Sequence, residues 1–304
     1  MDIRAAGRVA ILALLWGSTY LWIELALEAL SPAQVTFSRC AIGAVALLAV
    51  ARALPKGREV WRQIVVAAFF CNALPYALFS IGQQTIDSGL AGVLNATTPL
   101  WSLVIGLLIG TERGIRPVRV TGLLLGFAGT ALILQPWQQG GTAVGWGALA
   151  ILGAALSYAI SFAYMGRKLA GRGIPTISLS AAQLVVATGF TGLALPFGGF
   201  TPVHLDPLSL TAIVVLGVVA TATTFHLTYR IIAAEGATNA ATVGYLLPVV
   251  SVALGSVVLG EQLGSRVVAG MLVVLLGVAL TRHAKPTPSA PHNNEPTTPL
   301  PHAR

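Results

Sequence analysis

SGLAGVLNATTPLWSLVIGLLIGTE, Ser88 to Glu112, and ATNAATVGYLLPVVSVALGSVVLGE, Ala237 to Glu261, align without a gap at an offset of 149 residues. Only five of the 25 positions are identical, so the pattern carries more than the count. Gly92, Asn95, Pro99, Ser102 and Gly106 follow one another at steps of 3, 4, 3 and 4, which puts them on one helical face. Ala241, Gly244, Pro248, Ser251 and Gly255 repeat that stripe. Each copy has a proline halfway along an apolar run and ends in glutamate, Glu112 or Glu261, 13 residues beyond it. Each is followed by another glycine-rich segment, GLLLGFAGTALI from Gly122 and GMLVVLLGVALT from Gly270.

Working outward, the 304-residue chain is 55% hydrophobic and 9% charged, with mean hydropathy +0.80. Soluble domains carry about a quarter of their residues charged, so this composition predicts an integral membrane protein. Ten apolar runs fall near 7–28, 32–51, 62–82, 89–110, 118–135, 145–166, 175–196, 208–230, 236–260 and 266–282. Each is long enough to lay about 30 Å of helix across a bilayer with its backbone bonded internally. A membrane β-barrel needs short alternating segments, whereas Val267–Leu280 is continuously apolar. The first run lacks a clean small-x-small cleavage site and reads as a retained helix. The expected fold is therefore all-α and polytopic.

The repeat pairs helix 4 with helix 9 and helix 5 with helix 10, so its unit is five helices. Five is odd, and the second copy must enter the membrane upside down. The expected organisation is a first five-helix repeat over residues 1–140, an inverted second repeat over 141–282, and a disordered tail over 283–304, where six prolines occur in 22 residues. Inverted repeats of this kind are a transporter device.

The net charge of +8 is explained by topology. With the amino terminus inside, 16 of the 18 Lys and Arg residues fall in inner loops or termini, Arg266 alone falls outside, and Arg39 lies within helix 2. That asymmetry follows the positive-inside rule, places both termini in the cytoplasm, and argues against a nucleic-acid partner. Cys40 and Cys71 sit at membrane depth on different helices and read as packing residues, with neither disulfide nor metal spacing. No cofactor and no metal are expected.

Trp16-Gly17 in helix 1, Arg39 in helix 2, the spacings Pro99 to Glu112 and Pro248 to Glu261, and glycine-rich helices 5 and 10 together resemble the EamA-type family of the drug/metabolite transporter superfamily. The resemblance spans about residues 7–282 and implies export of small metabolites, often amino acids, across a bacterial inner membrane. It also implies a cavity lined by helices 1, 3, 4, 6, 8 and 9.

Polar and aromatic groups at membrane depth mark candidate sites, because they are costly unless they face protein or water. Trp16, Tyr20, Tyr76, Tyr158 and Tyr245 are candidates for an aromatic wall suited to an amphipathic or zwitterionic solute. The competing reading for each is ordinary packing. Pro99 removes a backbone donor and frees a carbonyl, so Asn95 and Thr98 either bind substrate or cap the freed group. His226, the only histidine at membrane depth, is a candidate proton or substrate acceptor. Arg39 needs a partner at such depth, and Glu24 is the expected one, with Glu28 or Asp87 as substitutes. That pair is read either as a gate or as a structural lock, and Gln183 is its uncharged counterpart in the second half. Glu112 and Glu261 are expected to hold the following helix.

The chain contains no G-x-x-x-x-G-K-[ST] stretch, so no nucleotide-driven pump is expected. A secondary carrier working by alternating access is the leading reading, with a small solute and the lipid bilayer as partners. A channel-like facilitator and a polytopic membrane enzyme are the alternatives, although no catalytic cluster is legible. The G-x-x-x-G pairs Gly106/Gly110 and Gly122/Gly126 serve either a homodimer or internal packing.

Overall fold

The computed structural model describes residues 11–110, 117–134, 145–197, 206–235, 243–262 and 264–283. They form ten helical rods with no strand among the described residues: α1 (Ile11–Leu27), α2 (Pro32–Val50), α3 (Arg58–Gly82), α4 (Ser88–Leu108), α5 (Pro117–Leu134), α6 (Trp146–Lys168), α7 (Thr176–Phe197), α8 (Pro207–Ala233), α9 (Leu247–Leu259) and α10 (Ser265–His283). α2, α3, α4, α6, α7 and α8 are each long and apolar enough to cross a bilayer. The apolar stretches of the other four are shorter, as in Val120–Gly129 of α5. The protein is a multi-pass, all-helical membrane protein.

Local chemistry sets the helix ends. Ser31 begins α2 with a capping box, its Oγ accepting from the Gln34 amide while Gln34 Oε1 accepts from the Ser31 amide, and Pro32 follows at the first helical position. Asp206 begins α8, accepting from the Leu208 and Ser209 amides and from Ser209 Oγ. The Ser209 amide and hydroxyl hold its carboxyl below the usual carboxylate range. Gly260 ends α9 in the left-handed region, with φ 71°.

Helix pairing establishes the inversion. A Cβ added to Gly129 would lie 2.7 Å from Gly270 O, and one added to Gly277 would lie 2.5 Å from Gly122 O. As α5 advances, α10 therefore retreats. The same reversal holds for α2 against α7, where Phe37 meets Gly192 and Leu184 meets Gly43. It holds again for α4 against α9, where Gly89 meets Val252 and Gly92 meets Ser251. In each case a helix packs antiparallel on its own counterpart, which only a half-turn about an axis lying across the helices produces. The same rotation exchanges α3 on α6 with α1 on α8, and α2 on α8 with α7 on α3. Small residues make these approaches possible where lipid gives no hydrophobic drive between helices. Gly122 and Gly126 are thus taken up by α10 within the chain.

The half-turn extends to backbone irregularities. α3 contains a π-helical turn at Phe69–Ala73, and α8 contains one at Val218–Thr223, starting 149 positions later. Such turns carry an extra residue and weaken the regular ladder, often at functional positions. Ser157 of α6 donates to Phe70 O within the first at 2.6 Å, and Thr223 donates to Val218 O within the second at 3.1 Å.

Candidate functional site

The two π-turns flank a cavity at the centre of the bundle, lined by Trp16 of α1, Cys71 and Tyr76 of α3, Tyr158 and Phe162 of α6, and Thr224, Phe225 and Thr228 of α8. These are the four helices that the half-turn exchanges. The cavity measures ≈ 10 Å³, about the room one water needs, so it is closed around no more than that. An aromatic string runs from its wall into the bundle. Tyr20 meets Phe79 at 5.6 Å between centroids, Phe79 meets Tyr158 at 5.9 Å, Tyr158 meets Phe162 at 5.8 Å, and Phe162 meets Trp16 at 6.2 Å. Rings at these separations give a rigid apolar surface with polar edges.

A buried polar chain backs this wall. Tyr229 OH donates to Gln183 Oε1 at 2.5 Å, Gln183 Nε2 donates to Asn72 Oδ1 at 2.7 Å, and Asn72 Nδ2 donates to Tyr76 OH at 3.1 Å. The chain joins α8, α7 and α3, and each hydrogen bond in it meets the demand that buried polar groups be paired.

α4 resolves its proline internally. The helix turns at Ala96–Thr97 and resumes at Thr98. Pro99 withholds the donor that Asn95 O would otherwise receive, and Thr98 Oγ1 donates to that oxygen at 2.7 Å. Asn95 Oδ1 accepts from the same hydroxyl at 3.0 Å, and Asn95 Nδ2 donates to Tyr20 OH at 2.6 Å. Thr98 thus caps the freed carbonyl and Asn95 anchors Tyr20, and neither lines the cavity. In the second half Leu247 precedes Pro248, and a single 3-10 turn, Val243–Leu246, leads into the helix. The Asn95–Tyr20 bond is expected to couple the two residues by about 1 kcal/mol in a double-mutant cycle of Asn95→Ala and Tyr20→Phe. Additive losses of melting stability for the double variant would show that the bond contributes nothing.

Three of the sequence candidates, Trp16, Tyr76 and Tyr158, line the cavity, whereas Tyr20 does not and packs on Phe79 behind Tyr158. His226 does not line it, although its neighbours Thr224, Phe225 and Thr228 do. Tyr245 falls in the 3-10 turn, its side chain outside the described residues, and Glu112 lies outside them altogether. Phe162, Phe225 and Thr228 were not singled out from sequence. The available signals were Phe162 four residues after Tyr158, and Thr228 four after Thr224.

Two expectations need correction. Arg39 and Glu24 do not pair. At 1.5 Å per residue Arg39 lies about 10 Å inside the start of α2, whereas Glu24 lies about 5 Å from the end of α1. Glu24 accepts instead from Gln83 Nε2 at 3.3 Å, beside a recess of ≈ 550 Å³ that it lines with Glu28, Ser31, Gln83 and Gln84. Glu261 does not hold the following helix. Its carboxylate accepts from the Ser88 amide and hydroxyl and the Gly89 amide, capping α4 of the other half.

Two five-helix units set head to tail around one central, aromatic-walled cavity define a membrane transporter of the inverted-repeat class. The EamA-like transporter family matches residues 6–135 and again residues 145–282, and the chain belongs to that family. It is 27% identical over 284 residues to the uncharacterised transporter YvbV of Bacillus subtilis, covering 91% of each chain. It is 27% identical over 294 residues to the uncharacterised inner membrane transporter YedA of Escherichia coli, covering 92% of this chain and 90% of the other. A solved crystal structure with 20% sequence identity superposes with a TM-score of 0.69, covering 92% of this chain and 96% of that one, a likeness of fold.

Proposed function

We propose that the protein is a secondary carrier that exports a small amphipathic solute, of the size and character of an amino acid, by opening the central cavity alternately to each side. The observation that carries this reading is the position of the cavity, enclosed by α1, α3, α6 and α8, the helices that the half-turn exchanges. Exchanging the shapes of the two halves moves the opening from one face to the other without moving the cavity. The paired π-turns of α3 and α8 supply bending points at matching heights on both sides of it. Aromatic rings with hydroxyl edges suit a solute having both an apolar body and polar ends.

The basic loops favour both termini in the cytoplasm, and the similarity to YedA, an inner membrane transporter, agrees with a plasma-membrane location. A channel fits less well, because the cavity is closed and no ring of repeated filter residues surrounds it among the described residues. The partners in this reading are the solute and the bilayer.

Counterflow in reconstituted vesicles tests the proposal. Vesicles preloaded with an unlabelled amino acid are expected to accumulate the labelled form transiently, with saturable dependence on concentration. Flux that is linear in concentration and indifferent to the internal solute would establish a channel, and covalent alteration of the solute would establish an enzyme.

A further inference from the structure

Arg39 is the largest fully buried side chain among the described residues, at 2% exposure. Its Nε donates to Thr221 Oγ1 of α8 at 3.1 Å, and its guanidinium carbon lies 3.7 Å from the centroid of the Tyr76 ring. Its Nη1 is buried without a hydrogen-bond partner, and no carboxylate pairs with it among the described residues.

The second half shows what a completed version of this position looks like. Gln183 of α7 reaches across to Asn72 of α3 as Arg39 of α2 reaches across to Thr221 of α8, and Asn72 and Thr221 are themselves 149 positions apart. At Gln183 the amide nitrogen donates to Asn72 and the oxygen accepts from Tyr229, so both ends are engaged. At Arg39 the same place holds a full positive charge and an unused donor. A charge so placed is costly in a membrane protein and marks function by default. Tyr76, which covers the guanidinium, is also a wall of the central cavity.

Building on the carrier reading above, we infer that Arg39 is the counter-charge for a carboxylate on the transported solute, reached when the Tyr76 ring swings aside as the cavity opens. The planar guanidinium fork matches two carboxylate oxygens, and the aromatic string receives the apolar remainder of the solute. Arg39 is the one buried Lys or Arg among the described residues, so the charge to be matched is one. That favours a monocarboxylate over a phosphate ester.

The test uses the full chain in vesicles with matched probes: L-amino acids and 2-oxo acids, each beside its primary amide, and phosphoserine for the phosphate arm. Wild type is expected to take the acids at least tenfold faster than their amides and to leave phosphoserine behind. In Arg39→Met the acid-over-amide ratio is expected to fall towards one. Because the empty protein carries an uncompensated charge, that variant is also expected to melt at the same temperature as wild type or higher, whereas a structural role predicts a lower one. Equal rates for acids and amides, faster flux of phosphoserine, or an Arg39→Met protein that melts lower and keeps its acid preference would overturn the inference. Counterflow confined to neutral or cationic members would do so while leaving the carrier reading intact. Absence of flux for every member would remove both.

Discussion

Gly277→Val is expected to abolish the folded protein. A Cβ at this position meets Gly122 O at 2.5 Å, Gly126 N at 2.8 Å and Gly126 Cα at 3.2 Å. All three are backbone atoms, so no side chain can turn away, and the two helices must separate along their length. Overpacking a well-filled site ordinarily costs about 1–3 kcal/mol. Here the cost exceeds that range, because the added atoms meet backbone alone and in lipid the close approach itself holds the pair together. The variant should lose the monodisperse peak of detergent-solubilised wild type on size exclusion. Gly126→Ala is the control, since its added Cβ finds nothing nearer than Leu100 Cδ2 at 3.9 Å, and that protein should elute normally. Wild-type elution of Gly277→Val would mean that the α5–α10 contact does not hold the bundle.

Glu261→Ala is expected to be the most damaging single change outside the glycine contacts. The carboxylate receives the Ser88 hydroxyl at 2.6 Å and the Ser88 and Gly89 amides at 3.1 Å each. It therefore sits on the positive end of α4 and ties the close of one half to the opening of the other. Removing it strands two amide donors and one hydroxyl, a loss of about 3 kcal/mol by the usual value of hydrogen bonds to charged groups. Glu261→Gln keeps one acceptor oxygen and should lose a smaller share. Melting temperatures in detergent would order the three proteins as wild type, Gln, then Ala. A melting temperature of Glu261→Ala within error of wild type would make the cap incidental.

Much of this architecture is legible in the sequence, because a repeat of five spans forces inversion whatever its degree of identity. Thr98 is legible too, since a hydroxyl one residue before a mid-helix proline lies next to the carbonyl that the proline frees. The cavity was read less well, for a physical reason. Each π-turn inserts one residue and rotates everything beyond it by about 100°. His226 was singled out by its depth alone, and depth does not tell which side of α8 beyond Thr223 meets the cavity. Arg39 and Glu24 show a second limit. Depth counted along two separate helices carries an error of several ångströms, and the partner that Arg39 takes, Thr221, lies on a helix far off in the sequence. Gln183 and Tyr229 went unread as network members because each is half of a pair whose other half lies on a different helix.

The three antiparallel self-pairings, α2 on α7, α4 on α9 and α5 on α10, map onto themselves when the halves trade places. A contact of that kind is indifferent to which way a carrier faces, so it supplies cohesion without biasing direction. Preference for one facing must then arise from wherever the duplicated units have drifted apart, and the cation on α2 opposite the neutral amide on α7 is such a place.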